Sequence, residues 1–196
     1  QESESRGFIE FDDVEFRYPG AEEPVLCGVS FKAGPGQTTA IVGGTGSGKS
    51  TLINLIPRFY DVTGGRILVD GVDVRELTQG NLWSKIGFIP QKAFLFKGTV
   101  ASNVRYGRAD ASEDEIWRAL ETAQGKEFVG EMTDGLDAEI TQGGSNVSGG
   151  QRQRIAIARA LVKRPEIYVF DDSFSALDFT TDSRLRAALK KETADA

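Results

Sequence analysis

The sequence predicts an α/β fold, and three observations support that class. Residues 38–42 are apolar and largely β-branched, as a buried strand is. A glycine-rich run follows them directly, and residues 52–56 beyond it carry apolar side chains at helical spacing. The run Ile167–Phe170 is a second apolar segment, and a long helical pattern precedes it. Strands, a glycine loop and helices in this order are typical of an α/β domain.

The other strands follow from local patterns. Residues 8–16 alternate apolar and polar side chains, which predicts a half-exposed strand, and Leu26–Ala33 predicts a second strand. A short strand with its turn is predicted at 66–71, and a buried strand at 86–90.

Helical patterns dominate the second half of the chain. From about 92 to 146 we interpret the sequence as a mostly helical subdomain inserted into the sheet. Ser112 and the three acids after it predict a helix start. Ser148 opens a long helix that Pro165 stops, and a last helix begins near Thr181.

Composition limits the function classes. The chain has 196 residues, enough for one domain with subdomains and a substantial core. Its net charge of −6 argues against nucleic acid as a main partner. It contains no histidine, which excludes histidine metal sites, triads and histidine general bases within this chain.

The single cysteine, Cys27, excludes a disulfide within the chain and favours a reducing compartment. We expect it to be a small buried apolar residue. No apolar run approaches membrane-spanning length, and residues 1–7 show no signal-peptide pattern. Residues 1–5 are a polar lead-in, and residues 190–196 are a charged tail.

One motif has the pattern G-x-x-x-x-G-K-S of a phosphate-binding loop. Its residues, with the one after it, are Gly43, Gly44, Thr45, Gly46, Ser47, Gly48, Lys49, Ser50 and Thr51. Glycines let successive backbone N–H groups turn around an anion, and the helix start adds its positive end. In such a loop Lys49 reaches the β- and γ-phosphates of a nucleotide, and the Ser50 hydroxyl binds Mg²⁺. The alternative, a flexible glycine turn, is disfavoured by the flanking strand and helix.

Asp171 directly follows the apolar strand Ile167–Phe170. An aspartate at this place fits a Walker B carboxylate, which holds the Mg²⁺ shell beside a phosphate loop. Strands often end in aspartate, so the alternative is a helix-capping residue. The phosphate loop in the same chain favours the Mg²⁺ role.

The most specific stretch is Ser148, Gly149, Gly150 and Gln151. Ser148 can cap a helix. The two glycines after it weaken that helix, but they leave the N–H groups of its first turn accessible to an anion. With these motifs in this order, the chain resembles the nucleotide-binding domains of ATP-binding cassette (ABC) transporters over nearly its whole length. Val147 stands where leucine is commonest in that family's signature.

The resemblance implies roles for three further residues. Tyr18 matches the aromatic residue that stacks on adenine; a core tyrosine is the alternative. Gln91 matches the Q-loop glutamine, which contacts Mg²⁺ or the attacking water and senses the transmembrane partner; a solvated loop residue is the alternative. Asp178 matches the D-loop, which crosses to the other subunit. The alternative, from the local sequence by itself, is that Asp178 is part of an ordinary turn and helix start. The segment 94–100 is similar to one seen in exporters, but by itself could be an apolar loop.

The chain departs from the family pattern in ways that bear on activity. The residue after the Walker B aspartate is usually glutamate, the general base, and here it is Asp172. A side chain one methylene shorter reaches the attacking water poorly, so this site should bind ATP well and hydrolyse it poorly. Residues 141–145 lack the acidic residue of exporters, which puts the usual contact with the transmembrane domain in doubt. We expect the family's switch histidine beyond Lys191, and a transmembrane domain before Gln1.

The expected fold is therefore α/β, with a P-loop core on a mainly parallel sheet, an antiparallel β portion near the N-terminus and a helical subdomain at about 92–150. The expected function is binding of ATP with Mg²⁺ and dimerisation with a second, different nucleotide-binding domain, powering an exporter at the cytoplasmic face of the cell membrane. One rival is a regulatory module that never hydrolyses ATP. A DNA-repair ATPase of the same superfamily would need long coiled-coil insertions or basic grooves, and the sequence shows no sign of them. A GTPase would need an Asn-Lys-x-Asp motif, which the sequence lacks.

Overall fold

A computed structural model describes residues 6–196, and the polar lead-in 1–5 lies outside the described residues. The chain divides into two compact units, one that runs up to Ile86 and includes Ala194–Ala196, and one that comprises Gly87–Thr193. The strands are β1 Ile9–Phe16, β2 Leu26–Ala33, β3 Gly64–Val69, β4 Val72–Asp73, β5 Ile86–Ile89, β6 Gly98–Thr99, β7 Glu139–Ile140 and β8 Ile167–Phe170. The α-helices are α1 Lys49–Leu55, α2 Gln79–Lys85, α3 Val100–Arg105, α4 Glu113–Thr122, α5 Lys126–Glu131, α6 Gly149–Lys163 and α7 Phe179–Glu192.

The first unit contains the predicted antiparallel sheet, with the strand order β2-β1-β3-β4. Strand β1 buries alternate residues, but its two consecutive aspartates interrupt the alternation. A register shift between Phe11 and Val14, with Asp13 at a φ of 48°, accommodates them. This bulge returns Val14 and Phe16 to the buried face, which explains how one strand keeps an apolar side across an irregular sequence.

Two predictions in this unit are wrong. Residues 38–42 form no strand, and Val42 is 90% exposed. A strand exists only where a neighbouring strand pairs with its backbone, and the sheets found within residues 6–196 leave this segment out. Cys27 is exposed rather than buried, because it lies on the open side of β2, the strand at the end of the sheet.

The helix predicted after the glycine loop is present as α1, and it buries Leu52 and Leu55. Helix α2 was not predicted from the sequence. It begins at a capping residue, Thr78, whose hydroxyl accepts a hydrogen bond from the Asn81 N–H, and it buries only Leu82. A single buried residue gives no helical periodicity, so the pattern offered no signal.

The second unit is built around α6, which buries eight of its fifteen residues. The inward-facing residues predicted for this helix are all buried, and they are Ile155, Ile157, Ala158, Leu161 and Val162. The helix ends at Arg164 in the left-handed region, directly before Pro165. The central packing of this unit therefore follows from the sequence pattern.

Helix α4 also begins as predicted, with Ser112 as its capping residue. Helices α3, α4 and α5 lie in the sequence between β6 and β7, which pair as a short antiparallel ladder. Strands β5 and β8 form a separate two-stranded sheet. The division of the chain into a core and a helical subdomain at about 92–150 stays a prediction.

Candidate nucleotide-binding site

The glycine loop is held in a tight conformation just before α1. Gly46 and Gly48 have φ values of 79° and 89°, a region that residues with side chains rarely adopt. Gly48 is the residue that precedes the first turn of α1. Two of the motif's glycines are therefore required by the backbone.

The start of the loop is closed against its own end. A Cβ atom added at Gly43 would lie 2.5 Å from the Ser47 Oγ, whereas one added at Gly44 would meet nothing within 4 Å. The Lys49 ammonium donates to the carbonyl oxygens of Gly43, at 2.6 Å, and Gly44, at 2.7 Å. The loop thus holds the Lys49 ammonium beside its own backbone and directly before the N-terminus of α1. A cation next to a helix N-terminus favours the binding of an anion such as phosphate.

Tyr18 is tied to the helix that follows the loop. Its hydroxyl lies 2.9 Å from the Thr51 Oγ1, and Thr51 is buried in α1. The ring of Tyr18 stands edge-on to those of Phe16 and Tyr60, with centroids 4.8 and 5.5 Å away. Tyr18 is half-buried, so it belongs neither wholly to the core nor wholly to the surface.

The second unit brings Gln91 and Asp172 together. Asp171 and Asp172 follow the end of β8, and the Asp171 N–H donates to the Ile89 carbonyl at 2.9 Å. Gln91 follows β5 closely in sequence, and its Nε2 donates to the Asp172 Oδ2 at 3.3 Å. Asp172 has a φ of 44°, a region in which aspartate is tolerated better than most residues.

The serine–glycine motif forms the start of α6 by a reciprocal pair of hydrogen bonds. The Ser148 hydroxyl accepts from the Gln151 N–H at 3.1 Å, and the Gln151 side chain accepts from the Ser148 N–H at 3.0 Å. A Cβ atom at Gly150 would lie 3.2 Å from the Ala176 carbonyl. Glycine at that position therefore lets the backbone of residues 175–178 approach α6 closely.

Asp178 caps helix α7. Its carboxylate accepts hydrogen bonds from the Thr181 N–H at 3.0 Å and from the Thr181 hydroxyl at 2.6 Å. These bonds, the hydroxyl's first, hold the pKa of Asp178 below its usual range. The next residue, Phe179, is 88% exposed. Asp178 therefore has the helix-start role that the local sequence predicted as the alternative to a D-loop role.

The sequence alone did not predict several residues that contact the predicted site residues or the loop before Ser148. Arg152 donates to the carbonyls of Gly143 and Gly144, both at 3.2 Å, and so closes the loop that lacks the family's acidic residue. Ser173 donates to the Ile89 carbonyl at 2.7 Å, and Gln153 contacts the backbone on both sides of Gln91. The available signal was the spacing of Gln153, which lies four and eight residues before Ile157 and Leu161 and therefore on the predicted apolar face of this helix.

The predicted site residues are distributed over both units. Tyr18 and the loop, residues 43–51, belong to the first unit. The others belong to the second, and they are Gln91, Ser148, Gly149, Gly150, Gln151, Asp171, Asp172 and Asp178.

Among residues 6–196, no three His, Cys, Asp or Glu side chains are grouped to hold a metal. Across the same residues, no helix combines the length and apolar character needed to cross a bilayer.

A glycine loop ahead of a helix, an aspartate-ending strand and a serine–glycine helix start define a P-loop nucleotide-binding domain. A family model described as ABC transporter matches residues 26–175. An uncharacterized ABC transporter ATP-binding protein of Mycobacterium bovis is 55% identical over 193 residues, covering 97% of this chain and 33% of that protein. The ATP-dependent lipid A-core flippase of Chromobacterium violaceum is 44% identical over 186 residues, covering 95% of this chain and 32% of the flippase.

Among solved structures, that of a bacterial Atm1-family ABC exporter with ATP bound matches with a TM-score of 0.92 and 39% identity. The match covers 97% of this chain and 33% of the exporter chain. The chain belongs to the ABC transporter family, as a nucleotide-binding domain of the exporter type. This confirms the predicted α/β fold with a P-loop core. The chain spans about a third of the length of the curated relatives it matches.

Proposed function

We propose that this chain binds ATP at its glycine loop and acts as one nucleotide-binding domain of an ABC exporter at the cytoplasmic face of a membrane. The observation that carries the proposal is the Lys49 ammonium, held at 2.6 and 2.7 Å from the carbonyls of Gly43 and Gly44 in a closed glycine loop. Family membership supports ATP as the nucleotide. Binding of ATP by two such domains draws them together and powers export through a transmembrane domain.

The predicted site residues have separate roles in this proposal. Lys49 and the backbone N–H groups of the loop bind the phosphates, and Tyr18 stacks on the adenine. Ser50, Gln91 and Asp171 offer hydroxyl, amide and carboxylate oxygens, the donor types that Mg²⁺ prefers. When bound, Mg²⁺ neutralises phosphate charge.

The serine–glycine start of α6 serves the opposite site of the pair. Its residues, Ser148 to Gln151, face a nucleotide held by the partner's phosphate loop, and Asp178 lies in the segment that crosses between subunits. Gly149 and Gly150 leave the backbone N–H groups of the first turn uncovered for an anion.

The site formed by this chain's own loop hydrolyses ATP poorly. Asp172 stands where the family's general base is usually glutamate, and its carboxylate is one methylene shorter. A general base must come within about 2.6–3.2 Å of the proton it takes. A misplacement of about 1 Å can lower a rate by about a hundredfold. The efficient site of the pair would then combine this chain's Ser148 with a partner's glutamate, which makes the transporter a heterodimer.

Replacement of Asp172 tests this proposal in the assembled transporter. The substitution D172N keeps the side-chain shape and the tolerance for a left-handed backbone but removes the base. We expect it to lower ATP turnover by less than about twofold, because this site contributes little. D172E should raise turnover, although glutamate fits a φ of 44° less readily. Loss of most turnover in D172N, or no gain in D172E, would count against an impaired site.

A second candidate is a regulatory module that binds ATP without turnover in either site. The same observation, Asp172 in place of glutamate, favours it. Substitution of glutamine for the partner's glutamate separates the two proposals. A large loss of turnover supports the heterodimeric exporter, and slow ATP loss that does not respond to this change supports the regulatory module.

A further inference from the structure

Gln153 is a polar side chain that is buried in the first half of α6. It is 2% exposed, and its neighbours Ile155 and Ala156 are buried too. A buried amide is costly unless its donor and acceptor are both satisfied. Gln153 satisfies them on the backbone of a different segment: its Nε2 donates to the Pro90 carbonyl at 3.0 Å, and its Oε1 accepts from the Ala93 N–H at 3.3 Å.

These two backbone groups lie on either side of Gln91. Pro90 has a fixed φ and no N–H, so its carbonyl is the hydrogen-bonding group of its backbone unit. Ser173 holds the preceding residue, because its buried hydroxyl donates to the Ile89 carbonyl at 2.7 Å. The backbone around Gln91 is therefore fixed from two elements, while the Gln91 side chain extends to the Asp172 Oδ2.

The element that carries Gln153 is the one that begins at Ser148. An α-helix is stiff over this length, so a displacement of the start of α6 moves Gln153 with it. The Gln153 amide would pass that displacement to the backbone on both sides of Gln91. The serine–glycine motif and Gln91 thereby have a direct mechanical connection within one unit.

We propose that Gln153 is a positioning residue that sets the place of Gln91 and connects it to the start of α6. This inference rests on the proposed function for its consequence, because it assumes that Gln91 contacts the Mg²⁺ of bound ATP. The connection itself does not depend on that assumption. It predicts that loss of the Gln153 amide frees the Gln91 segment and weakens Mg²⁺-dependent nucleotide binding.

Amide hydrogen exchange in the intact protein without nucleotide tests the connection. In Q153M, a substitution of similar size without the amide, peptides containing Ala93 should exchange roughly three- to tenfold faster, since one net hydrogen bond is lost at that N–H. Q79M makes the same chemical change at an exposed position at the start of α2 and should leave this exchange unchanged. Unchanged exchange at Ala93 in Q153M would overturn the proposal.

Q153E is a second variant for the case that Q153M fails to fold. A carboxylate can accept from the Ala93 N–H but donates to the Pro90 carbonyl only when protonated. Burial favours the protonated form, so protection of Ala93 relative to the unsubstituted protein should recover as the pH is lowered. A Q153E variant whose protection of Ala93 matches the unsubstituted protein at every pH would contradict a role for the donor.

Binding of an azido-ATP probe, located on this chain by its label, tests the consequence. With Mg²⁺, Q153M and Q91A should each bind about threefold more weakly or worse, and the double variant should bind no more weakly than Q91A, because Gln153 acts through Gln91. With EDTA, all three should match the unsubstituted protein. Additive losses would overturn the positioning role. Absence of probe binding to the unsubstituted protein would instead overturn the proposed function, and the exchange result would still decide the connection.

Discussion

Among single residues, Glu115 shows most clearly how one charge joins separate segments. Its carboxylate forms an ion pair with Arg108, accepts from the Ser112 N–H at 3.0 Å and lies 3.6 Å from the Arg164 guanidinium. The hydrogen bond from Arg108 first, and that from Ser112 next, lower the pKa of Glu115 to about 2. The ionised form therefore favours the folded state over the unfolded one.

This pKa predicts an acid-sensitive contribution to stability. Because the folded-state pKa is below the unfolded value of 4.5, the stabilisation is fully present above about pH 4.5 and is lost as the pH falls towards 2. Denaturant unfolding of the 196-residue chain at a series of pH values measures it. E115Q, which keeps the size but not the charge, should lose less stability across this range. Parallel pH profiles for the two proteins would contradict the prediction.

At the scale of elements, two helices begin with the same chemical device. Ser112 and Glu115 start α4, and Ser148 and Gln151 start α6, each pair with reciprocal hydrogen bonds between side chain and backbone. Loss of such a capping hydroxyl lowers the free energy of unfolding by about 1 kcal/mol. The two serines differ in their proposed roles, since the proposed function places only Ser148 beside a nucleotide.

The two serines therefore form a matched pair of substitutions. S112A and S148A should destabilise the chain by a similar amount, about 1 kcal/mol each. Only S148A should also lower ATP turnover of the assembled transporter, by roughly tenfold, because it removes a hydroxyl from the efficient site. Denaturant unfolding and steady-state ATPase rates measure the two effects. Equal ATPase rates in the two variants would assign Ser148 a capping role alone.

The elements that the sequence predicted well are those with local signals. Helix α6 has a capping serine, an apolar face and a proline after its end, and β8 is a bounded apolar run. Residues 38–42 lacked such a local constraint: their apolar pattern fits a strand, but no sheet within residues 6–196 includes them. Helix α2 could not be predicted from periodicity because it buries a single residue.

The candidate site also has parts that the sequence predicts and parts that it does not. The glycine loop could be predicted because its spacing is dictated by a fixed backbone shape, in which Gly46 and Gly48 need a positive φ. The contacts of Gln153 with residues around Gln91, and of Arg152 with the loop at 143–144, join residues far apart in sequence. A local pattern can place Gln153 on the buried face of its helix, but the partners of these contacts depend on how the elements pack.

At the scale of the whole molecule, the chain corresponds to one nucleotide-binding domain of the exporter type. It spans about a third of the length of the curated relatives it matches. In the proposed function, a second nucleotide-binding domain completes its site. The net charge of −6 is consistent with the absence of nucleic acid from the proposed partners. The proposed function depends on ATP binding at the glycine loop.

Equilibrium binding of ATP to the intact protein and to two alanine variants tests that claim most directly. Gly48 has a φ of 89°, and a Cβ atom there would lie 3.1 Å from the side chains of Val25 and Leu26, so G48A strains the loop, whereas Gly44 has space for the added atom. We expect G48A to weaken ATP binding at this site by more than about tenfold and G44A by less than about threefold. Equal affinities in the two variants, or no binding of ATP at millimolar concentration to the unsubstituted protein, would contradict the account.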